Sequence, residues 1–295
     1  MSTKKVGILG GGFGLYGYMP AALQSNYSTL VLSKYKEMIT VHPVLKNFIH
    51  QLQFIDSELE LLNASDLLVF ARTPEMQFDF IRNLSDLSKV YLFEKPLAQD
   101  IHSHKMALNH LEKFKFKYSV NYAFMRTDWY KKLIWLSSTN SLKILINWEI
   151  RKPLVQWKVE SNRGGGLFHY YGIHFAPMFK QLSVPIESLS VFMKSSSIEI
   201  YTDKNCQNNI GLRLKFSNKS QFHVRVLERS SNKILYTENF SSPFGVEITK
   251  NDLDPRVSGI SQYFTETLNH DFFVNASSFE YYVLEFRGID GDRSV

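Results

Sequence analysis

The sequence predicts an α/β chain in which an N-terminal doubly wound parallel sheet precedes an α+β domain with a large open, mainly antiparallel sheet. Three observations predict this. Apolar strand-like runs alternate with helix-like stretches through the first part of the chain. A glycine-rich turn stands between the first such run and the first helix. From about residue 142 the runs begin to alternate apolar and polar residues. Short apolar strands with helical crossovers make a parallel sheet covered on both faces, whereas alternation marks a sheet with one packed face. The expected domains are 1–120, a dinucleotide-binding type of sheet, and 121–295, an α+β domain for substrate and assembly.

The elements follow in order. Strands are expected at 5–9, 29–33, 53–55, 67–71, 90–94 and 117–122, with helical spacing at 15–25, 74–84 and 98–113. The stretch 35–66 is less regular. In the second half, strands are expected at 141–150, 188–194, 197–202, 211–217, 220–228 and 233–240, and closing helices at 259–268 and 280–286. The packed face of this second sheet should rest on a helix over 166–182, and its other face, if apolar, would pair subunits.

Composition narrows the function classes. With 295 residues, 44% hydrophobic and 21% charged, the chain is an ordinary globular protein of two domains. The net charge of +6 comes from lysines scattered in short groups, which is not the basic stripe of a nucleic-acid binder. Cys206 is the only cysteine and lies in polar "DKNCQNN", so neither an intrachain disulfide nor a thiol nucleophile is expected. No metal cluster is apparent. No apolar run is long enough for a membrane span, and "MSTKKVGILGG" lacks the apolar core of a secretory signal, which predicts a cytoplasmic protein.

Six glycines fall between residues 7 and 17, in "VGILGGGFGLYG". Glycine is costly to order, so such density implies a close approach to backbone. A glycine turn leading from a first strand into a helix is where doubly wound sheets of the Rossmann type hold a pyrophosphate against backbone N–H groups. Two registers fit. The one set by the strand end uses Gly10 and Gly12, with Phe13, Gly14 and Leu15 completing the turn; the other uses Gly12, Gly14 and Gly17. The first is preferred because Gly10 directly follows the strand. At the end of the second strand, Ser33 and Lys34 stand where an acid usually bonds the ribose of NAD. A hydroxyl followed by cations suits a 2′-phosphate, so NADP is the expected cofactor, with NAD the alternative. Thr73 and Pro74, after the fourth strand, are further cofactor-binding candidates.

Residues 90–97, "VYLFEKPL", end a strand in Glu94-Lys95-Pro96 at the same carboxyl edge. A lysine there can bond a substrate hydroxyl or join proton transfer. Residues 162–179, "NRGGGLFHYYGIHFAPMF", open from three glycines and place Tyr170 and His174 four apart, on one face of a helix. Taken alone, each motif has an ordinary structural explanation: a solvated lysine before a helix, and an aromatic stripe packed in a core.

In order, the glycine turn, the Glu-Lys-Pro strand end and Gly-Gly-Gly-x-x-x-x-x-Gly-x-His resemble the glucose–fructose oxidoreductase/inositol dehydrogenase (Gfo/Idh/MocA) family of NAD(P)-dependent oxidoreductases. The resemblance is strongest over 5–126 and 162–180. It implies hydride transfer to or from a carbinol or keto carbon of a sugar, cyclitol or nucleotide sugar. It makes Lys95 the catalytic lysine and His174 the acid/base histidine, and it adds Glu94 to the cofactor site. It also implies a cis peptide before Pro96, and a homodimer or homotetramer assembled through the C-terminal sheet. Two departures stand out: Tyr170 occupies the family's usual Asp position, and Pro177 replaces an acid after the histidine. A phenol is a poor base at neutral pH, so Tyr170 is expected to orient substrate while His174 takes the proton. The same departure motivates a rival reading, a catalytically impaired NADP(H)-binding sensor or assembly subunit. Trp129, Trp135, Trp148 and Trp157 are candidates for sugar stacking, with core packing the simpler explanation.

Overall fold

The computed structural model describes residues 4–194, 196–244, 252–267 and 276–289. β1 (Lys5–Leu9) is buried along almost its whole length and lies at the centre of a six-stranded sheet. With β2 (Ser28–Leu32), β3 (Leu52–Ile55), β4 (Leu67–Phe70), β5 (Val90–Glu94) and β6 (Lys117–Asn121) the order is β3-β2-β1-β4-β5-β6. Every pairing is parallel. The order reverses at β1, between β2 and β4, which is the switch point where such sheets open a crevice at the strands' carboxyl ends. The connections carry α1 (Met19–Gln24), α2 (Lys36–Val41), α3 (Glu58–Ala64), α4 (Pro74–Arg82) and α5 (Ile101–Lys113). Before α1 the chain makes a π-helical turn over Gly14–Tyr18.

The chain divides into two units: Met1–Asn121 with Ile248–Ser277, and Tyr122–Glu247 with Ser278–Val295. The return of a late segment to the first unit differs from the sequence reading, which gave everything after 120 to the second domain. The reason lies in α8 (Arg256–Thr267). Its Val257, Ile260, Tyr263 and Phe264 enter the same core as Val6, Ile8, Leu15 and Tyr18. Ser25 Oγ donates to the Ser261 carbonyl at 3.1 Å, and the Phe264 ring lies 6.3 Å from that of Tyr18. Residue 268 of the expected helix lies outside the described residues.

In the second unit, β7 (Leu142–Arg151), β8 (Leu189–Lys194), β9 (Ser197–Thr202), β10 (Asn209–Ser217), β11 (Gln221–Glu228) and β12 (Ile234–Phe240) form a sheet of order β12-β11-β7-β10-β9-β8. All pairs are antiparallel except β7 with β10. The strict alternation of β7, buried at every second residue, turns Ile144, Ile146, Trp148 and Ile150 inward. They meet the segment Leu167–Gln181, as predicted: Tyr171 packs edge-on against Trp148 and Phe216. α6 (Asp128–Ser137), α7 (Ala176–Gln181) and α9 (Ala276–Gly288) complete the unit. Phe286 stacks on Phe168, with centroids 4.9 Å apart. The opposite face of the sheet carries Asn147, Glu149, Arg213, Lys215 and Arg225, and Arg213 pairs with Glu199 at 3.5 Å. The same face also carries Leu145, Tyr201 and Phe192, the last two exposed with ring centroids 6.2 Å apart, so it is mixed in character.

Candidate functional site

The first unit brings four predicted groups to one edge of one sheet, because all its strands run the same way. Gly10–Leu15 follow β1, Ser33 and Lys34 follow β2, Thr73 and Pro74 follow β4, and Glu94 and Lys95 end β5. The glycines of the first turn have different causes. Gly10 has φ +151°, and a Cβ there would lie 2.1 Å from the Ala71 carbonyl oxygen, so the chain itself requires it. A Cβ on Gly11 would press on the Tyr35 ring, and one on Gly17 would enter the Phe13 ring. Gly12 is the exception. It lacks a positive φ, and a Cβ built on it meets nothing within 4 Å. Neither backbone conformation nor packing within the chain explains its missing side chain. The Leu15 side chain is in the core, and its N–H donates to the Gly12 carbonyl at 3.0 Å.

Beside this turn stands Arg256, which sequence distance hid. Its guanidinium lies 3.8 Å over the Phe13 ring and is held in a two-point ion pair by Asp254, at 2.8 and 2.6 Å.

The end of β2 is more mixed in charge than Ser33 and Lys34 suggested. Because β2 pairs in register with β3, Leu32 opposite Ile55, the residues that follow also meet. Ser33 donates to Asp56 at 2.6 Å, and Lys34 pairs with Glu58 at 3.2 Å. Arg72 also binds Glu58, and that guanidinium, with Lys34 second, holds the Glu58 carboxyl below its usual range despite partial burial. The stretch 35–66, irregular in the sequence, thus supplies two carboxylates here, and the turn after β4 a second cation.

At the end of β5 the peptide Lys95–Pro96 is cis. Lys95 is 6% exposed. The Glu94 carboxylate accepts hydrogen bonds from the Tyr18 hydroxyl and from Asn121 Nδ2. Burial raises the pKa of both Glu94 and Tyr18, against the opposing pull of Lys95 and Arg256 on the carboxyl. Tyr18 and Asn121 belong to no recognisable sequence pattern and were not foreseen.

Tyr170 and His174 belong to the second unit. The helical run that carries them is not α-helical: Leu167–Tyr171 form a π turn and Gly172–Phe175 a 3₁₀ turn. The 3.6-residue spacing that would align residues four apart therefore does not apply. The two rings have different neighbours. His174 is buried flat against Phe124, with centroids 4.2 Å apart, and edge-on to Trp148. Tyr170 packs edge-on against Trp157 and Tyr171, and the Lys158 ammonium lies 5.6 Å from its ring centroid. The three glycines before them are accounted for by the chain. Gly164 and Gly166 have φ +79° and +83°, and a Cβ on Gly165 would lie 2.0 Å from the Trp157 carbonyl oxygen. Of the tryptophans, Trp129 and Trp148 are core, and Trp135 is exposed beneath Lys132. Among the described residues no group of three or more His, Cys, Asp or Glu side chains is placed to hold a metal ion, and no helix is long and apolar enough to cross a membrane.

A Rossmann-type unit followed by a unit built on an open, mostly antiparallel sheet is the two-domain fold of solved dehydrogenases of the Gfo/Idh/MocA type, which this chain shares. The chain is similar to the myo-inositol dehydrogenase of Corynebacterium glutamicum, with TM-score 0.70, 11% identity, and coverage of 97% of this chain and 95% of that one. It is similar to the WlbA dehydrogenase of Thermus thermophilus, solved with NAD and UDP-GlcNAcA, with TM-score 0.68, 11% identity and coverage of 98% and 94%. It is also similar to KijD10, a 3-ketoreductase of Actinomadura kijaniata solved with NADP and TDP-benzene, with TM-score 0.64, 12% identity and coverage of 99% and 98%. No family model matches the sequence, and no curated protein matches it.

Proposed function

We propose that this chain is an NAD(P)-dependent oxidoreductase that moves a hydride to or from a carbinol or keto carbon of a sugar, cyclitol or nucleotide sugar. The observation that carries the reading is Gly12, a residue without a side chain where backbone and packing both permit one, at the switch point of a doubly wound sheet. A pyrophosphate is the group that such a position accommodates. The fold neighbours support the reading: one is an inositol dehydrogenase, and two hold a nicotinamide dinucleotide with a nucleotide-sugar or nucleotide ligand.

The residues present fit the cofactor. Gly10, Gly12, Phe13 and Gly14 would hold the pyrophosphate by main chain, Thr73 and Pro74 would flank it, and Glu94 would serve the nicotinamide end. Ser33 and Lys34 would meet the 2′ position of the adenosine ribose, with Arg72 as a second cation. We assign NADP as the preferred form, because two cations converge there on one carboxylate, Glu58. Hydride donation or acceptance is the chemistry that a bound nicotinamide would supply. Lys95 polarises the substrate oxygen with its ammonium group, and His174 takes or returns the hydroxyl proton. Tyr170 contacts the substrate by its hydroxyl and orients it. The sensor alternative gains no support from the fold neighbours. Self-association into a homodimer or homotetramer through the second sheet is part of the reading, with the exposed Phe192 and Tyr201 on the face that would pair, and light scattering at micromolar concentration tests it.

The central experiment is turnover of a sugar, cyclitol and nucleotide-sugar panel with NADPH and NADP. Lys95→Ala and His174→Ala should each lower turnover by about 10²–10⁴-fold with cofactor binding nearly intact. Tyr170→Phe should cost less than either. Tight NADPH binding with no turnover of any panel member by the wild type would refute the enzyme reading.

A further inference from the structure

Gln77 lies on α4, three residues beyond Pro74, and is 1% exposed. Its side-chain amide is spent entirely on the turn that carries Lys95. Nε2 donates to the carbonyls of Glu94, Pro96 and Leu97 at 2.7, 3.0 and 3.2 Å, and Oε1 accepts the Glu94 N–H at 3.1 Å. Three acceptors share two protons, so at least one of these bonds is divided.

The sheet cannot do this work. The pairing of β5 with β6 ends at Glu94 opposite Asn121, and Pro96 has no N–H to offer. Buried main-chain carbonyls require partners, and beyond the end of the strand Gln77 is the side chain that reaches them. Lys95 therefore stands between two residues pinned by one amide. Glu94 is additionally fixed through its carboxylate by Tyr18 and Asn121. Because Lys95 is itself buried, a shift of this main chain is passed on to the ammonium group, where a displacement of about 1 Å can cost roughly 10²-fold in rate.

We infer that Gln77 is a positioning residue, which sets the main chain of Glu94–Leu97 so that Lys95 presents its ammonium group in one place. The inference rests on the reading above in taking Lys95 as catalytic, but its geometry does not depend on which substrate is used.

The test compares wild type with Gln77→Leu, which keeps the bulk and loses all four hydrogen bonds. The expected result is a kcat lowered by about 10–100-fold, with KM and the NADPH Kd changed by less than about threefold. A purely structural role predicts a lower Tm with kcat of the folded variant unchanged, and that outcome overturns the inference. A second readout needs no turnover: the rate at which an amine-reactive probe modifies Lys95 in the cofactor-free protein, followed by peptide mass spectrometry. Gln77→Leu should change the Lys95 rate several-fold and leave Lys34 and Lys143 unchanged. If the wild type turns over nothing, the functional reading fails and the labelling rate still decides the role of Gln77. Should Gln77→Leu not fold, Gln77→Met carries the same measurements, and an unaltered Lys95 rate in either folded variant overturns the inference.

Discussion

Two glycine-rich turns, Gly10–Gly12 and Gly164–Gly166, look alike in the sequence and arise from different physics. In the second, the chain fills its own space: two of the three residues adopt left-handed φ values, and the carbonyl of Trp157 occupies the position of a Cβ on Gly165. In the first, Gly10 is likewise imposed by the chain, but Gly12 faces open space at a φ that any residue adopts. Glycine density reports close approach to backbone without saying what approaches. One turn packs against its own loop. The other leaves open space at Gly12.

The largest expected effect tests the packed turn. Gly165→Ala drives a Cβ into main-chain atoms of 157 and 158, and should cost about 3 kcal/mol, a fall in Tm of roughly 6–12 °C for a chain of this size. A Tm within a degree of wild type would show that the loop carrying Trp157 yields easily, and the contrast between the turns would collapse.

The segment after the second turn should also respond to acid. Burial, with the nearby Arg287, holds His169 at a pKa of about 4, below the ordinary histidine value of 6.5. The folded state therefore refuses a proton that the unfolded chain accepts. Stability should fall as the pH drops from about 6.5 towards about 4, by on the order of 2 kcal/mol after solvent screening. His169→Asn should flatten that part of the profile in denaturant titrations at stepped pH, and an unchanged slope would remove His169 from the account.

At the first turn the effect should move from stability to binding. Gly12→Val is expected to leave Tm of the cofactor-free protein nearly unchanged and to weaken NADPH and NADH alike by at least about tenfold, as measured by calorimetry. Normal binding by this variant would mean that the open space serves another purpose. The smallest effect sharpens the cofactor assignment. Glu58→Gln relieves Lys34 and Arg72 of their shared carboxylate, and should shift the ratio of NADPH to NADH affinity towards NADPH by about two- to fivefold, the scale of exposed ion pairs. A shift in the opposite direction would favour NAD.

The strands of both sheets were legible because each is a local event. A short, mostly apolar run, or a strict alternation as in β7, fixes how a segment is buried before its neighbours are known. The glycine turn, the Glu-Lys-Pro strand end and their placement at one sheet edge followed from the same local order. The two carboxylates at the end of β2 were not legible, since they lie in the irregular stretch and reach Ser33 and Lys34 only through the register of β2 with β3. The shared helical face of Tyr170 and His174 was misjudged, because a π turn followed by a 3₁₀ turn replaces the regular period there.

What the sequence determined by itself, then, was the succession of elements, the parallel and mostly antiparallel character of the two sheets, and the chemistry gathered at the end of β1 and β5. Those depend on periodicity and on residue type within a few positions. Only the tertiary structure decided that α8 joins the first core, that Arg256 lies over Phe13, and that Gln77 holds the turn of Lys95. An amphipathic helix fits any apolar groove, and a single buried amide has no periodic signature. Which groove and which carbonyls it meets is settled by contacts between residues far apart in the chain.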